Sequence, residues 1–280
     1  LLNIPLNYVL MFGKLGFPAL GTVGCGYATS IIIWLQFVLL ATYIAMHRHY
    51  RPFSLMSRLE KPDFGKIVAL LKVGLPIAVA IFVEGSLFVG AALLIGQLGP
   101  VPAAAHLIAI NFSALVFMIP VGLSSAVSIR VGNAIGRGDP EAARYAGWIG
   151  LLIILGFQTV SASVMFLFPE WVVRIYTDDA VVAPLAVSLL FYAAIFQYPD
   201  GIQMVAAGTL RGYKDTRKPM LYMVISFWII GMTLGYNLTF NGGMGPAGMW
   251  VGMIAGLTVA SILMLRRFHH TSGRHIRQKL

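Results

Sequence analysis

Apolar stretches of about 20 residues recur along this chain, broken by short polar connections rich in Gly, Pro, Lys and Arg. A stretch of that length matches the hydrocarbon thickness of a bilayer when helical. The pattern predicts a partial span over residues 1–12 and full spans over 23–46, 67–97 (with an amphipathic entry), 103–128, 142–168, 181–210, 220–240 and 247–266. The expected fold is an all-α polytopic membrane protein.

Composition agrees. The chain is 58% hydrophobic and only 11% charged, with a mean hydropathy of +0.82, whereas a soluble domain is about 25% charged. The net charge of +10 does not imply a nucleic-acid partner, because the basic residues sit at span ends and in connections. Cys25 is the single cysteine, so no internal disulfide is expected. Position 1 is Leu within an apparent helix, with no charged leader segment or cleavage site. A signal peptide is therefore not expected, and the chain reads as truncated at its start.

Lys and Arg alternate between connections. Segment 47–66 with Lys72, segment 129–145, segment 211–219 and the tail hold 18 of the 20 basic residues, leaving only Lys14 and Arg174 for the other side. The rich side is expected to be cytoplasmic, with the C-terminus there. Trp148 and Trp171 fall near span ends, where interfacial aromatics belong. Segment 47–66 is the longest connection and reads as a linker between two bundles. A weak parallel repeat fits this division. Asn7-Tyr8 precedes Gly16-Phe-Pro-Ala-Leu-Gly-Thr-Val-Gly24 and a span, and Tyr236-Asn237 precedes Gly245-Pro-Ala-Gly-Met-Trp-Val-Gly252 and a span. The reading is an end-of-lobe segment over 1–46, a linker over 47–66, a six-helix lobe over 67–266 and a cytoplasmic tail over 267–280.

Two of the ten acidic residues, Glu84 and Asp200, lie inside apolar runs. A carboxylate in hydrocarbon costs several kcal/mol unless paired, hydrated or protonated. Glu84 is twelve residues past Lys72 and Asp200 eleven before Arg211, which puts them about 18 and 16 Å from the basic side at about 1.5 Å per residue. Matched depth on separate helices points to one shared cation or proton site. Pro199 frees the carbonyl of Ile195, one turn before the proline, as a possible ligand for a hard cation such as sodium. Asn111, Ser113, Gln197 and Gln203 are candidate cavity-lining polar groups, and Phe117 and Phe196 candidate aromatic ones; the polar groups also suit interhelical packing, and aromatics at helical spacing are more often core or lipid-facing.

Several signals fail. Gly132-Asn-Ala-Ile-Gly-Arg-Gly138 lacks the Lys-Ser/Thr of a phosphate loop, and Gly21-Thr-Val-Gly-Cys-Gly26 stands in the wrong context for a dinucleotide loop. No His-Glu-x-x-His pattern occurs, and no nucleophile with its base is evident. An enzyme or an ATP-driven pump is therefore not expected, and a purely structural subunit would not need two level-matched acids.

Four stretches carry a resemblance. They are Leu75-Pro-Ile-Ala through Glu84, Val121-Gly-Leu-Ser-Ser-Ala-Val-Ser-Ile-Arg-Val-Gly-Asn-Ala-Ile-Gly-Arg-Gly138, Gln197-Tyr-Pro-Asp-Gly-Ile-Gln203 and Gly208-Thr-Leu-Arg-Gly-Tyr-Lys-Asp-Thr216. With them the chain resembles the multidrug and toxic compound extrusion (MATE) family, in its NorM-type bacterial branch, over essentially its whole length. The resemblance implies a twelve-helix, two-lobe secondary exporter, represented here by the six-helix C-terminal lobe and the last one to two helices of the N-terminal lobe. It implies antiport of sodium or protons against cationic or amphipathic drugs and dyes, a monomer, and a bacterial inner-membrane location. It places Glu84 and Asp200 in the cation site of the second lobe, where they would hold sodium. A tyrosine common in the family four residues before the aspartate is Phe196 here, which removes a hydroxyl ligand but leaves a ring for a cation–π contact, so Phe196 is counted with Glu84, Asp200 and Ile195 in the cation site. The resemblance places the family's N-lobe aspartate in a first helix that is expected to precede residue 1. The alternative within the superfamily is a lipid-linked oligosaccharide flippase, which would call for cationic residues inside the cavity.

Overall fold

The computed structural model describes residues 2–14, 16, 18–47 and 63–279. Most of the expected linker, including Arg48, Arg51, Arg58 and Lys61, lies outside the described residues. The helices are α1 (Asn3–Phe12), α2 (Gly21–Met46), α3 (Phe64–Gly96), α4 (Pro100–Gly136), α5 (Pro140–Leu167), α6 (Pro169–Arg174), α7 (Val182–Gly212), α8 (Arg217–Asn241) and α9 (Pro246–Lys279). Seven of them, all but α1 and α6, are long and apolar enough to cross a membrane. The protein is a multi-pass, all-helical membrane protein.

Two compact units divide the chain, Leu1–Phe64 and Gly65–Leu280. In the first, α1 ends at Gly13 in the left-handed region, and the chain returns so that Leu20 N–H donates to Leu10 O. Gly24 lets α2 pass against the backbone of Leu10, only 2.5 Å from where a β-carbon would stand.

The second unit holds the other six spans, and α7 is a packing centre among them. This helix packs on α4, α5 and α9 and buries residues along nearly its whole length. Small residues allow that. A β-carbon on Gly208 would stand 2.5 Å from the Ser124 carbonyl oxygen of α4. Between α8 and α9 the approach is closer still, with Gly231 and Gly235 facing Gly252 and Gly256. Spaced small residues of this kind permit backbone-to-backbone packing, which drives helix association where lipid removes the hydrophobic incentive.

The expected boundaries move at two places. α4 runs to Gly136 and α5 starts at Pro140, so the expected connection 129–145 shrinks to three residues. Asp139 caps α5 by accepting from Ala142 N–H at 3.1 Å, and Pro140 occupies its first turn, where no backbone donor is needed. At the other end, the residues expected as a tail continue α9 without a break to Lys279. Phe268 and Ser272 there are fully buried. The sequence turns polar at Arg266, and hydropathy alone stops the span there, but amphipathic packing carries the helix on. Within α8, residues 224–232 and 237–241 are π-helical, a wider winding that sequence periodicity does not reveal.

Candidate cation site

α3 and α7 meet at mid-length through one polar contact. Gln203 Nε2 donates to Glu84 Oε1 at 2.8 Å. Asp200 lies three residues before Gln203 on the same face of α7 and is within electrostatic reach of Glu84. Asp200 is buried, and its Oδ1 has no hydrogen-bond partner among the described residues. The Gln203 Oε1 and, on α5, the Gln158 Oε1 are likewise without partners. Gln158 crowds Gly201, the neighbour of Asp200. Orphaned buried acceptors of this kind are rare in folded proteins and call for an explanation. The oxygens of two carboxyls and two amides, three of them without a hydrogen-bond partner among the described residues, form a set fit for a hard cation or for protons.

Above this cluster, toward the end of the unit poor in basic residues, the site is closed by aromatics. Phe196, one turn before Asp200, is buried between Phe88 of α3 and Trp250 of α9, with ring centroids 5.9 and 5.5 Å away. Trp250 in turn meets His106 of α4 at 5.7 Å. Toward the basic-rich end, a cavity of about 50 Å³ is lined by Ala80, Glu84, Gln203, Arg211, Asp215 and others. Drug-sized ligands occupy pockets of roughly 300–1,000 Å³. This cavity has room for an ion or a few waters.

The other candidates are scattered. Gln197 donates to the sulfur of Met165 on α5. Ser113 is buried and donates to Ala109 O within its own helix at 2.9 Å. Asn111 is on the exposed side of α4 and accepts from Tyr176 OH at 3.2 Å. Phe117 is half-buried, and the Ile195 side chain is exposed on the outer face of α7. The structure thus brings together Glu84, Asp200, Gln203 and Phe196, and sets Asn111 and Ile195 on outward faces.

Sequence reasoning missed Arg211, counted there as a cation at a span end. Its side chain turns inward: Nη2 donates to Ser124 Oγ at 2.7 Å, and Ser124 Oγ donates to Met204 O at 2.8 Å. Helical side chains lean toward the N-terminus of their helix, and eleven residues is about three turns. Arg211 therefore shares the face of Asp200 and leans toward it. That spacing was the available signal. Just beyond, Lys214 adopts the left-handed conformation (φ 60°) at the end of α7. Asp215 N–H then bonds Leu210 O and Lys214 N–H bonds Arg211 O, each at 2.9 Å, the paired bonds of a Schellman stop. The turn delivers Asp215 to Arg267 of α9, at 2.6 Å.

The unit is a six-span helical bundle carrying two acids within its spans, Asp200 buried and Glu84 partly buried, and ionisable residues at such depth are costly in hydrocarbon. Comparison with known proteins makes the class specific. The family model MatE matches residues 76–237, more than half of the chain. Over 270 residues the chain is 50% identical to the "Probable multidrug resistance protein NorM" of Xanthomonas campestris, covering 96% of this chain and 59% of that protein. It is 44% identical over 282 residues to the "Multidrug resistance protein PmpM" of Pseudomonas aeruginosa, covering 99% and 59%. A solved "Outward-facing conformation of a multidrug resistance MATE family transporter of the MOP superfamily" superposes with a TM-score of 0.87 at 19% identity, over 99% of this chain and 62% of that one; this likeness is one of fold. The chain belongs to the MATE family of transporters, of NorM type, which are not enzymes. It spans about 59% of the length of these curated relatives.

Proposed function

We propose that this chain supplies the cation-coupling lobe of a secondary multidrug exporter in a bacterial inner membrane, with residues 67–266 as that lobe and its basic-rich end in the cytoplasm. The observation that carries the reading is the Gln203–Glu84 contact beside Asp200, at the head of a cavity sized for an ion rather than a drug. A sodium ion or a proton arriving from outside neutralises the carboxyls, and the cationic drug leaves. The cation is then released inward and the site is again free to favour drug. Such a cycle runs only if each ligand prefers one of the two states. The drugs bind in a larger space than this cavity, so competition acts through conformation and charge rather than through shared contacts. Asp200 is buried within its span, which favours a coupling role over an incidental surface acid.

The test is ethidium extrusion by the full-length protein under separately imposed sodium and proton gradients. Asp200→Asn and Glu84→Gln should each abolish ion-coupled extrusion at unchanged membrane levels, and the double variant should be little worse than either, because the two act as a unit. Neutral variants that still pump against a gradient with the same ion dependence would refute the reading.

A further inference from the structure

The cavity below Glu84 contains a charge of its own. Arg211 and Asp215 line it together with Glu84 and Gln203. Asp215, the acid nearest to Arg211 in sequence, is already bound to Arg267 at 2.6 Å, with Thr271 Oγ1 donating to the same oxygen at 3.4 Å. Arg211 is tied by one nitrogen to Ser124, while its buried Nε has no hydrogen-bond partner among the described residues. Among the described residues, Glu84 is the carboxylate lining the cavity with no ion-pair partner, and the guanidinium is within electrostatic reach of it. A half-buried cation with a spare donor therefore stands between the acid pair and the basic-rich end.

We infer that Arg211 is a tethered counter-cation that competes with the transported sodium or proton for the charge of Glu84. The inference rests on the coupling reading above. With the site free of its coupling ion, the guanidinium balances the Glu84 carboxylate, which would otherwise lie uncompensated in apolar surroundings. When the coupling ion binds, Arg211 repels it and is held back by Ser124. The repulsion weakens cation binding and speeds release toward the cytoplasm. The tether sets the strength of the competition: Ser124 draws the guanidinium toward α4 and away from Glu84. Arg211 is thus a positioning residue for the coupling ion rather than a ligand to it.

The test uses the full-length protein in proteoliposomes, with ethidium extrusion followed against external sodium at fixed pH and against external proton concentration without sodium. Arg211→Gln should lower the half-saturating concentration of the coupling cation about tenfold and reduce the maximal rate, because release becomes slow. Arg211→Lys should keep half-saturation within about twofold of wild type. Ser124→Ala, which frees the guanidinium for Glu84, should raise it about threefold. A structural role for Arg211 would lower the maximal rate in all three variants without moving half-saturation in opposite directions. Unchanged half-saturation in Arg211→Gln overturns the inference. Should that variant not reach the membrane, unchanged half-saturation in Ser124→Ala does the same. These failures are separable from failure of the coupling reading, because they leave the loss of coupling in Asp200→Asn and Glu84→Gln untouched.

Discussion

Gly208→Ala separates backbone proximity from helix propensity. A β-carbon at Gly208 would stand 2.3 Å from Ser124 Oγ, 2.5 Å from Ser124 O and 3.0 Å from Ser124 C. The hydroxyl can rotate, but the carbonyl belongs to α4 and cannot. Ordinary contact begins at about 3.4 Å, so the helices must part locally by about 0.9 Å. Overpacking of this kind costs roughly 1–3 kcal/mol. Replacing a helical Gly by Ala also contributes about 1 kcal/mol in favour of the helix, which blurs a comparison with wild type. Gly122→Ala removes the ambiguity. Gly122 is on the same α4, two residues before Ser124, and a β-carbon there meets nothing within 4 Å. Both variants gain the same propensity, so their difference isolates the clash. Thermal unfolding of the detergent-solubilised full-length protein should place Gly208→Ala several degrees below Gly122→Ala. Gly208→Ala should also disturb the Ser124–Arg211 contact and slow extrusion. Equal melting temperatures for the two alanine variants would refute the claim that α4 and α7 are held at backbone distance.

Two further outcomes follow from the basic-rich end of the second unit. The Asp215–Arg267 pair is mostly buried, with side-chain exposures of 15% and 23%, so Asp215→Asn or Arg267→Gln should each destabilise the protein by about 1–3 kcal/mol. The double variant should lose less than the sum of the two, as measured by a double-mutant cycle on the unfolding transition; strict additivity would show that the pair contributes nothing. For orientation, a cysteine placed at Lys214, with Cys25 removed, should resist a membrane-impermeant maleimide in intact cells and react in inverted vesicles. The reverse pattern would overturn the assignment of the basic-rich side.

The hydrophobic pattern located every span, because length and apolarity are all that a bilayer demands of a helix. It misjudged ends where something other than lipid decides them. α4 continues through Arg130 to Gly136 because that arginine can extend its charge to the interface while its helix stays packed. α9 continues because Phe268, Thr271 and Ser272 bury against neighbouring helices, a tertiary effect invisible to hydropathy. The acids Glu84 and Asp200 stood out because charge inside hydrocarbon is rare. Gln203 was one of several polar candidates, and only the assembled helices distinguish it from Asn111, which points outward. Arg211 reads from hydropathy only as a cation at a span end. A long side chain at the last turn of a helix leans back into the span, so its charge belongs to the interior face that it shares with Asp200.

The packing of α7 encloses Asp200 on most sides. Asp200 is too short to reach an interface, and it lies on the most enclosed helix of the unit. Gly201 admits Gln158 and Ile154 of α5 on one side, and Gly208 admits the backbone of α4 on another. Phe196, Phe88 and Trp250 close the direction toward the end poor in basic residues. What is left is the side facing α3, where Glu84 accepts from Gln203 and the small cavity begins. On the coupling reading proposed above, an ion leaving Asp200 toward the basic-rich end would pass Glu84 and then Arg211, which line that cavity. The same glycines that bring α4 and α5 against α7 close those two sides of it, so on that reading the charges along the side facing α3 set the direction of the ion.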